Sequence, residues 1–112
     1  GTGLGHIGVN VLDKYTKDHK KTLDTIKRMS KKMLICMTSQ CIFGRVNMNV
    51  YSSGRDLQNA GVVPLEDMLS ETAYVKLGWV LANTKNLEEA KALMLKNIAG
   101  EISERTSTEF LE

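Results

Sequence analysis

The run Met33-Leu34-Ile35-Cys36-Met37 breaks abruptly into a polar stretch, and this junction restricts the fold more than any other part of the chain. Consecutive apolar residues that end on polar ones read as a buried strand, Met33–Met37, of the kind found in parallel sheets covered on both faces. The stretch from Thr38 to Gly54 is punctuated by Gly44 and Gly54, so the strand empties into a loop. Open α/β sheets place ligand-facing groups at the carboxyl ends of their strands. This loop offers Thr38, Ser39, Gln40, Asn47, Asn49 and Tyr51 as neutral donors and acceptors, with Arg45 its single charge. Such a composition suits recognition of a polar, uncharged partner better than acid–base chemistry. A long ordered loop packed on a neighbouring domain fits it equally well.

The rest of the chain supplies elements on either side. Ahead of the strand, Leu12, Tyr15, His19, Leu23, Ile26 and Met29 recur at intervals of three and four, which predicts an amphipathic helix over Leu12–Lys32. After the loop, Ser53 is placed to cap a short helix carrying Leu57 and Ala60, and Gly61 to stop it. Val62–Leu65 then reads as a second strand, with Pro64 marking an edge or an end. Glu66–Leu69 reads as a turn, and Ser70 as the cap of a helix running to about Ala82. That helix is apolar nearly all round and is expected to be mostly buried. Asn86 with Glu89 resembles a capping box for a last helix with Leu87, Ala90, Leu93 and Met94 on its core side, ended by Asn97 and Gly100. The polar tail, Glu101–Glu112, is expected to fray unless a partner orders it.

Helices alternating with strands imply parallel pairing, so the expected fold class is α/β, a small three-layer domain with a short parallel sheet flanked by helices. Two strands make a poor sheet. The opening Gly1-Thr2-Gly3-Leu4-Gly5-His6 reads as a glycine-rich turn of the type that comes after a strand, so a first strand is expected ahead of Gly1.

Several chemistries fall away. Gly3, Gly5 and Gly8 match a dinucleotide-binding spacing formally, but the preceding strand is absent and Asp24 falls in a helical pattern rather than at a strand's end. Lys14, Lys17, Lys20, Lys21, Lys27, Arg28 and Lys31 crowd the first helix, yet Asp13, Asp18 and Asp24 interleave them and no stacking aromatics accompany them; a solvated face accounts for this better than RNA contact. Net charge is +2, too mild to argue for nucleic acid. Cys36 and Cys41 read as free thiols of a reducing, cytoplasmic compartment. With His6 and His19 they lack zinc-ligand spacing, so no metal is expected. Cys41 has Arg45 alone nearby to lower its pKa. Glu66, Asp67 and Glu71 read as a carboxylate cluster or, equally well, as acidic residues placed at a helix start. No nucleophile–base pair is legible. No apolar run reaches the ~20 residues of a membrane helix.

Three blocks taken together, G-T-G-L-G-H, M-T-S-Q-C-I-F-G-R-V-N-M-N-V-Y-S-S-G-R and A-G-V-V-P-L-E-D-M-L-S-E-T-A-Y-V-K-L, resemble the C-terminal domain of the asparaginase/glutaminase-type amidohydrolases. The resemblance runs from Gly1 to about Ser103 and is strongest to the archaeal glutamyl-tRNA(Gln) amidotransferase branch, its D subunits, with archaeal cytoplasmic asparaginases nearly as similar. It implies that 1–112 is the C-terminal domain of a larger two-domain amidohydrolase, serving as dimer surface and active-site wall. The catalytic threonines, aspartate and lysine of the family belong to its N-terminal domain, so none maps here. In related enzymes the glycine loop lies near a neighbouring subunit's substrate site, which makes Gly3, Gly5 and His6 substrate candidates, with His6 standing where secreted relatives carry a polar amide. In bacterial cytoplasmic relatives a cysteine in the turn matched by Cys41 lines an effector pocket, and Gln40 precedes it in the polar loop. The implied chemistry is hydrolysis of glutamine or asparagine through an acyl-threonine, with ammonia passed to the amidotransferase's E subunit for amidation of Glu-tRNA(Gln). ATP and Mg are implied on that partner subunit and no cofactor in this chain. The implied partners are the chain's own N-terminal catalytic domain, a second copy, the E subunit and the tRNA. A free-standing L-asparaginase domain and a non-enzymatic RNA-binding module are the alternatives.

Overall fold

In the computed structural model, which describes residues 2–105, the elements are α1 (His19–Met29), β1 (Cys36–Ser39), α2 (Ser52–Asn59), β2 (Val63–Leu69), α3 (Ser70–Asn83) and α4 (Leu87–Leu95). β1 and β2 pair in parallel with α2 as the crossover, Cys36 opposite Val63 and Met37 opposite Pro64. Because side chains alternate along a strand, the pair feeds two cores. Val63, Leu65 and Met68 meet Val80 of α3 and Ala90 and Met94 of α4. On the other face Met37 and Val62 meet Val46, Met48 and Leu57, with Leu23 and Ile26 of α1 packed against them. The α/β, three-layer expectation holds. No helix among the described residues is long and apolar enough to cross a membrane.

Local chemistry sets the boundaries, not always where periodicity placed them. α1 begins at His19 rather than Leu12, because the Asp13 carboxylate accepts the N–H groups of Tyr15 (2.8 Å) and Thr16 (3.1 Å) while the Thr16 hydroxyl accepts those of Leu12 and Asp13. Side chains of this type compete with the helix for backbone donors. Leu12 and Tyr15 are consequently exposed. The α1 exit keeps Met33 bonded back to Met29, which delays β1 to Cys36. Gly61 ends α2 as expected: at φ +102° its N–H reaches the Gln58 carbonyl and the N–H of Val62 reaches Leu57, the Schellman pattern. Neither expected serine cap forms. Tyr51 occupies the N-cap of α2 and Leu69 that of α3, without side-chain caps, and the Ser70 hydroxyl bonds β1 instead. The Asn86 cap does form, accepting the N–H of Glu89 at 2.9 Å.

Two larger corrections concern β2 and α3. Glu66–Leu69 is not a turn; β2 continues through it, irregularly, with Glu66 at φ 56°. In α3, Ala73, Lys76 and Val80 are buried, whereas Tyr74, Val75, Trp79 and Leu81 are exposed, so its apolar circumference is covered on one side. The start of the tail is also anchored rather than frayed. The Lys76 ammonium, 7% exposed, bonds the Glu101 carboxylate at 2.5 Å and the Lys96 carbonyl at 2.6 Å. Glu101 also accepts the N–H groups of Ile98 and Ala99, and Ile102 packs against the α3–α4 core. The remainder of the expected frayed tail, 106–112, lies outside the described residues.

Burial and the anchored tail each give a measurable outcome. Leu65→Ala should cost ~2–5 kcal/mol in denaturant unfolding because it empties a filled core site. Leu81→Ala, measured in dilute solution, should stay within about 0.5 kcal/mol; equal losses would contradict the observed burial. The bonded Lys76 ammonium holds the Glu101 carboxyl down from 4.5 to about 2. A depressed carboxyl stabilises the fold above its unfolded-state pKa and loses that contribution as protons bind in the folded state. Stability should therefore fall as pH drops from about 4.5 to about 2. Glu101→Gln should cost about 3 kcal/mol near neutrality, since it strands a buried ammonium. It should also flatten the acid limb of stability against pH; an unchanged acid limb would refute the assignment.

Candidate functional site: a loop wall at the carboxyl end of β1

Beyond Met37, β1 is held from both sides. Thr2 donates its N–H to Thr38 at 2.9 Å and accepts that of Gln40 at 2.6 Å, adding one parallel rung on the edge away from β2. On the other side the Thr38 hydroxyl meets the Ser70 hydroxyl at 2.8 Å, and Ser70 donates to the Ser39 carbonyl, pinning the start of α3 to the strand end. The glycine loop then runs beside the polar loop, tied by the Asn47 N–H to the Leu4 carbonyl at 2.8 Å. Gly5 makes that approach possible. It sits at φ +102°, and a Cβ there would lie 2.7 Å from Val46 Cγ1 and 2.8 Å from Met48 Cγ.

His6 comes directly after. Its ring meets Tyr51 edge-on, with centroids 4.8 Å apart and planes at 86°. Gly54 closes the other side, where a Cβ would approach His6 Nδ1 to 2.9 Å and collide with the Met48 carbonyl oxygen. Both ring nitrogens are enclosed and unpartnered. An enclosed polar group without a bond costs ~1–3 kcal/mol, and such costs concentrate at sites with another purpose. His19 is differently occupied: Nδ1 lies 2.8 Å from the Asn10 carbonyl, and the ring rests on Gly8.

Beside this wall lies a small polar cleft lined by Arg45, Asn47, Asn49, Gln58, Pro64 and Glu66. The Arg45 guanidinium donates to Glu66 at 3.2 Å and to the Ser103 carbonyl at 2.7 Å. Asp67 accepts the Ser103 N–H at 2.9 Å. Partial burial works against its charge, but Ser103 and the Arg45 cation outweigh that and hold its carboxyl below the usual range. Asn49 accepts from Arg55 at 2.8 Å, and its own N–H bonds the Asn47 side chain. Sequence reasoning missed Gln58 and the pairing of Arg45 with Glu66, because nothing in the local pattern announces a non-glycine residue at positive φ.

Of the five residues singled out from sequence, Gly5 and His6 are enclosed by the polar loop, whereas Gly3, Gln40 and Cys41 face outward. Gln40 joins the wall through its backbone bond to Thr2, and Cys41 through its N–H to the Ser39 hydroxyl at 3.0 Å. Gly3 has open space where a Cβ would stand. Cys36 is half-buried against the α3–α4 core. Among the described residues no group of three His, Cys, Asp or Glu is arranged to hold a metal.

The structure is an α/β domain whose strand end is walled by a glycine loop and a polar loop, with one histidine packed against Tyr51 and the other against a backbone carbonyl. It belongs to the glutaminase/asparaginase C-terminal domain family, whose pattern matches residues 1–94. The D subunit of Pyrococcus abyssi glutamyl-tRNA(Gln) amidotransferase is 53% identical over 107 residues, 95% of this chain and 22% of that protein. The corresponding D subunit of Methanobrevibacter smithii is 46% identical over 110 residues, 98% and 23% of the two chains. The thermostable L-asparaginase from Thermococcus kodakarensis superposes with a TM-score of 0.78 at 33% identity, over 94% of this chain and 30% of that one. The chain thus spans about a fifth of the length of the curated relatives it matches.

The two thiols should separate cleanly. Burial pushes the Cys36 thiol up to about 11, while Cys41 is exposed. At about pH 8 a disulfide reagent should titrate Cys41 rapidly and Cys36 only after denaturation. Equal rates in the native protein would contradict this placement.

Proposed function

We propose that this chain is the C-terminal domain of an amidohydrolase subunit that releases ammonia from glutamine or asparagine for amidation of Glu-tRNA(Gln). In this reading it provides active-site wall and dimer surface, and the nucleophile belongs to its N-terminal catalytic domain. One observation carries the reading: relatives named as amidotransferase D subunits share about half of all residues across nearly the whole chain. The wall suits the role. It presents neutral amides and hydroxyls, as a neutral amide substrate requires, and its enclosed His6 and left-handed Gly5 hold it in one shape. Gly3, Gly5, His6, Gln40 and Cys41 are then the residues nearest substrate or effector. The working partners are the catalytic domain, a second copy, the E subunit with its ATP and Mg, and the tRNA, in the cytoplasm. The superposition on the Thermococcus kodakarensis enzyme favours a second reading, the same domain of a free-standing asparaginase.

The test is ammonia release from glutamine and from asparagine, by this chain alone and after mixing with a separately produced N-terminal catalytic domain of one of the amidotransferase relatives. Silence alone with activity on mixing is expected. The preferred amide separates the two readings. Activity of the chain alone, or no gain on mixing, would overturn the wall assignment.

A further inference from the structure

The net charge of +2 conceals a division of the chain. Residues 13–32 carry eight cations and three carboxylates, a net +5, while the other 92 residues carry seven cations and ten carboxylates, a net −3. The three carboxylates are already engaged close by. Asp24 pairs with Lys20 at 3.2 Å and Asp18 with Lys21 at 2.8 Å, and Asp13 accepts the N–H groups of Tyr15 and Thr16. Among the described residues Lys17, Lys27, Arg28, Lys31 and Lys32 have no carboxylate partner, and all five are exposed. At 3.6 residues per turn Lys20, Lys21, Lys27 and Arg28 fall within an arc of about 120° around α1, and the core positions Leu23 and Ile26 fall outside it. Lys31 and Lys32 follow in the turn that prolongs the helix, where the N–H groups of Lys32 and Met33 both reach the Met29 carbonyl. Periodicity seats Tyr15 in the buried stripe of this helix, which leaves the cations without an aromatic. The structure instead places Tyr15 ahead of the helix, 82% exposed, with the Lys14 ammonium 5.0 Å from its ring centre.

We propose that this surface, from Tyr15 along α1 to Lys32, binds an unpaired stretch of RNA, with phosphates set along the row of cations and a base stacked on Tyr15. A polyanion gains by giving up its counterions to such a row. The Lys20–Asp24 and Lys21–Asp18 pairs are exposed, and ion pairs of that kind are weak enough to open toward a phosphate. The negative remainder of the chain repels a polyanion, which confines the contact to this face. Charge alone would suit an acidic protein as well. The exposed aromatic decides for RNA, because every base offers a face to stack on and a carboxylate offers none. Tyr15 is held at a fixed place at the start of the row. Its N–H bonds the Asp13 carboxylate at 2.8 Å, and the Thr16 carbonyl takes the His19 N–H at 3.0 Å, tying the same turn to α1. The inference adds a surface for the RNA partner of the proposed function and rests on that reading only for which RNA is met in the cell. Ammonia release tests the amide chemistry separately, so the two can fail independently.

Fluorescence anisotropy of a labelled oligouridine of about 20 nucleotides, titrated with the 112-residue chain, tests it. Affinity should fall about a hundredfold between about 50 mM and about 200 mM salt, as about five phosphate contacts on a single strand require. Lys27→Gln with Lys31→Gln should weaken binding and make the slope of log affinity against log salt shallower by about 1.4. Tyr15→Ala should weaken binding at least about fivefold with the slope unchanged, Tyr15→Phe should keep it, and a duplex RNA should not register either change. These variants alter exposed side chains, so their thermal unfolding should match that of the parent. No binding at about 50 mM salt would overturn the proposal, as would a slope indifferent to the two lysines or an affinity indifferent to Tyr15→Ala. Competition by polyglutamate as effective as that by unlabelled oligouridine of equal charge would overturn it too, and give the face to an acidic protein.

Discussion

The irregular middle of β2 is the constraint on which the rest depends. Between the pairings of Met37 with Pro64 and Ser39 with Leu69, Thr38 alone stands opposite Leu65, Glu66, Asp67 and Met68. The surplus is absorbed by Glu66 at φ 56°, a conformation that costs a residue with a side chain about 1–2 kcal/mol. That turn of the backbone sends the Glu66 carbonyl away from β1 and toward the Val46 N–H at 2.9 Å, while its carboxylate takes the Arg45 guanidinium. The polar loop is thereby fixed to the sheet through its one charged residue. The same bulge aims Asp67 at Ser103, so the tail is anchored by it as well.

How much of this was legible depends on the range of each interaction. The glycine that closes α2 and the Asn86–Glu89 cap are written in neighbouring residues, and both form, while the apolar run before Thr38 yields a strand that starts at Cys36 and runs on to Ser39. Parallel pairing could be inferred from the alternation of elements. The failures involve choices between partners. Asp13 and Thr16 captured backbone donors that periodicity had assigned to a helix; Ser70 bonded a strand distant in sequence instead of its own helix. Glu66–Leu69 carries turn-like residues, but what turns there is a bulge, because β1 continues alongside. Lys76 is the sharpest case. Lysine in a helix reads as solvent-facing, and its burial depends on Glu101, 25 residues on, and on the Lys96 carbonyl.

The wall illustrates how close packing makes a polar surface rigid. Gly5 and Gly54 are not spacers. Each occupies a point where a single added carbon would meet side chains or a backbone carbonyl of the loop segment around Met48. His6 is gripped between them, and the enclosure of both ring nitrogens is the cost of that grip. A mobile glycine loop would relieve the cost by turning the ring to water. The buried side chains of Val46 and Met48 pack against the loop and hold the ring in place, with Tyr51 edge-on to it. The residues outside this grip, Gly3, Gln40 and Cys41, are the ones whose surroundings leave room for something else.

α3 joins that wall to the far side of the domain. Its first residue is bonded to the end of β1, its buried side closes one core, and its second apolar side is open. Nearly uniform hydrophobicity around a helix signals burial on all sides, but α3 is covered on one side, with Tyr74, Val75, Trp79 and Leu81 left exposed. Because Ser70 clamps the helix to the same strand end that carries the loops, whatever seats on the open side is held at a fixed orientation to the wall. The loops and α3 are in that sense held in one frame by the Ser70 hydroxyl and two backbone bonds at the tip of β1.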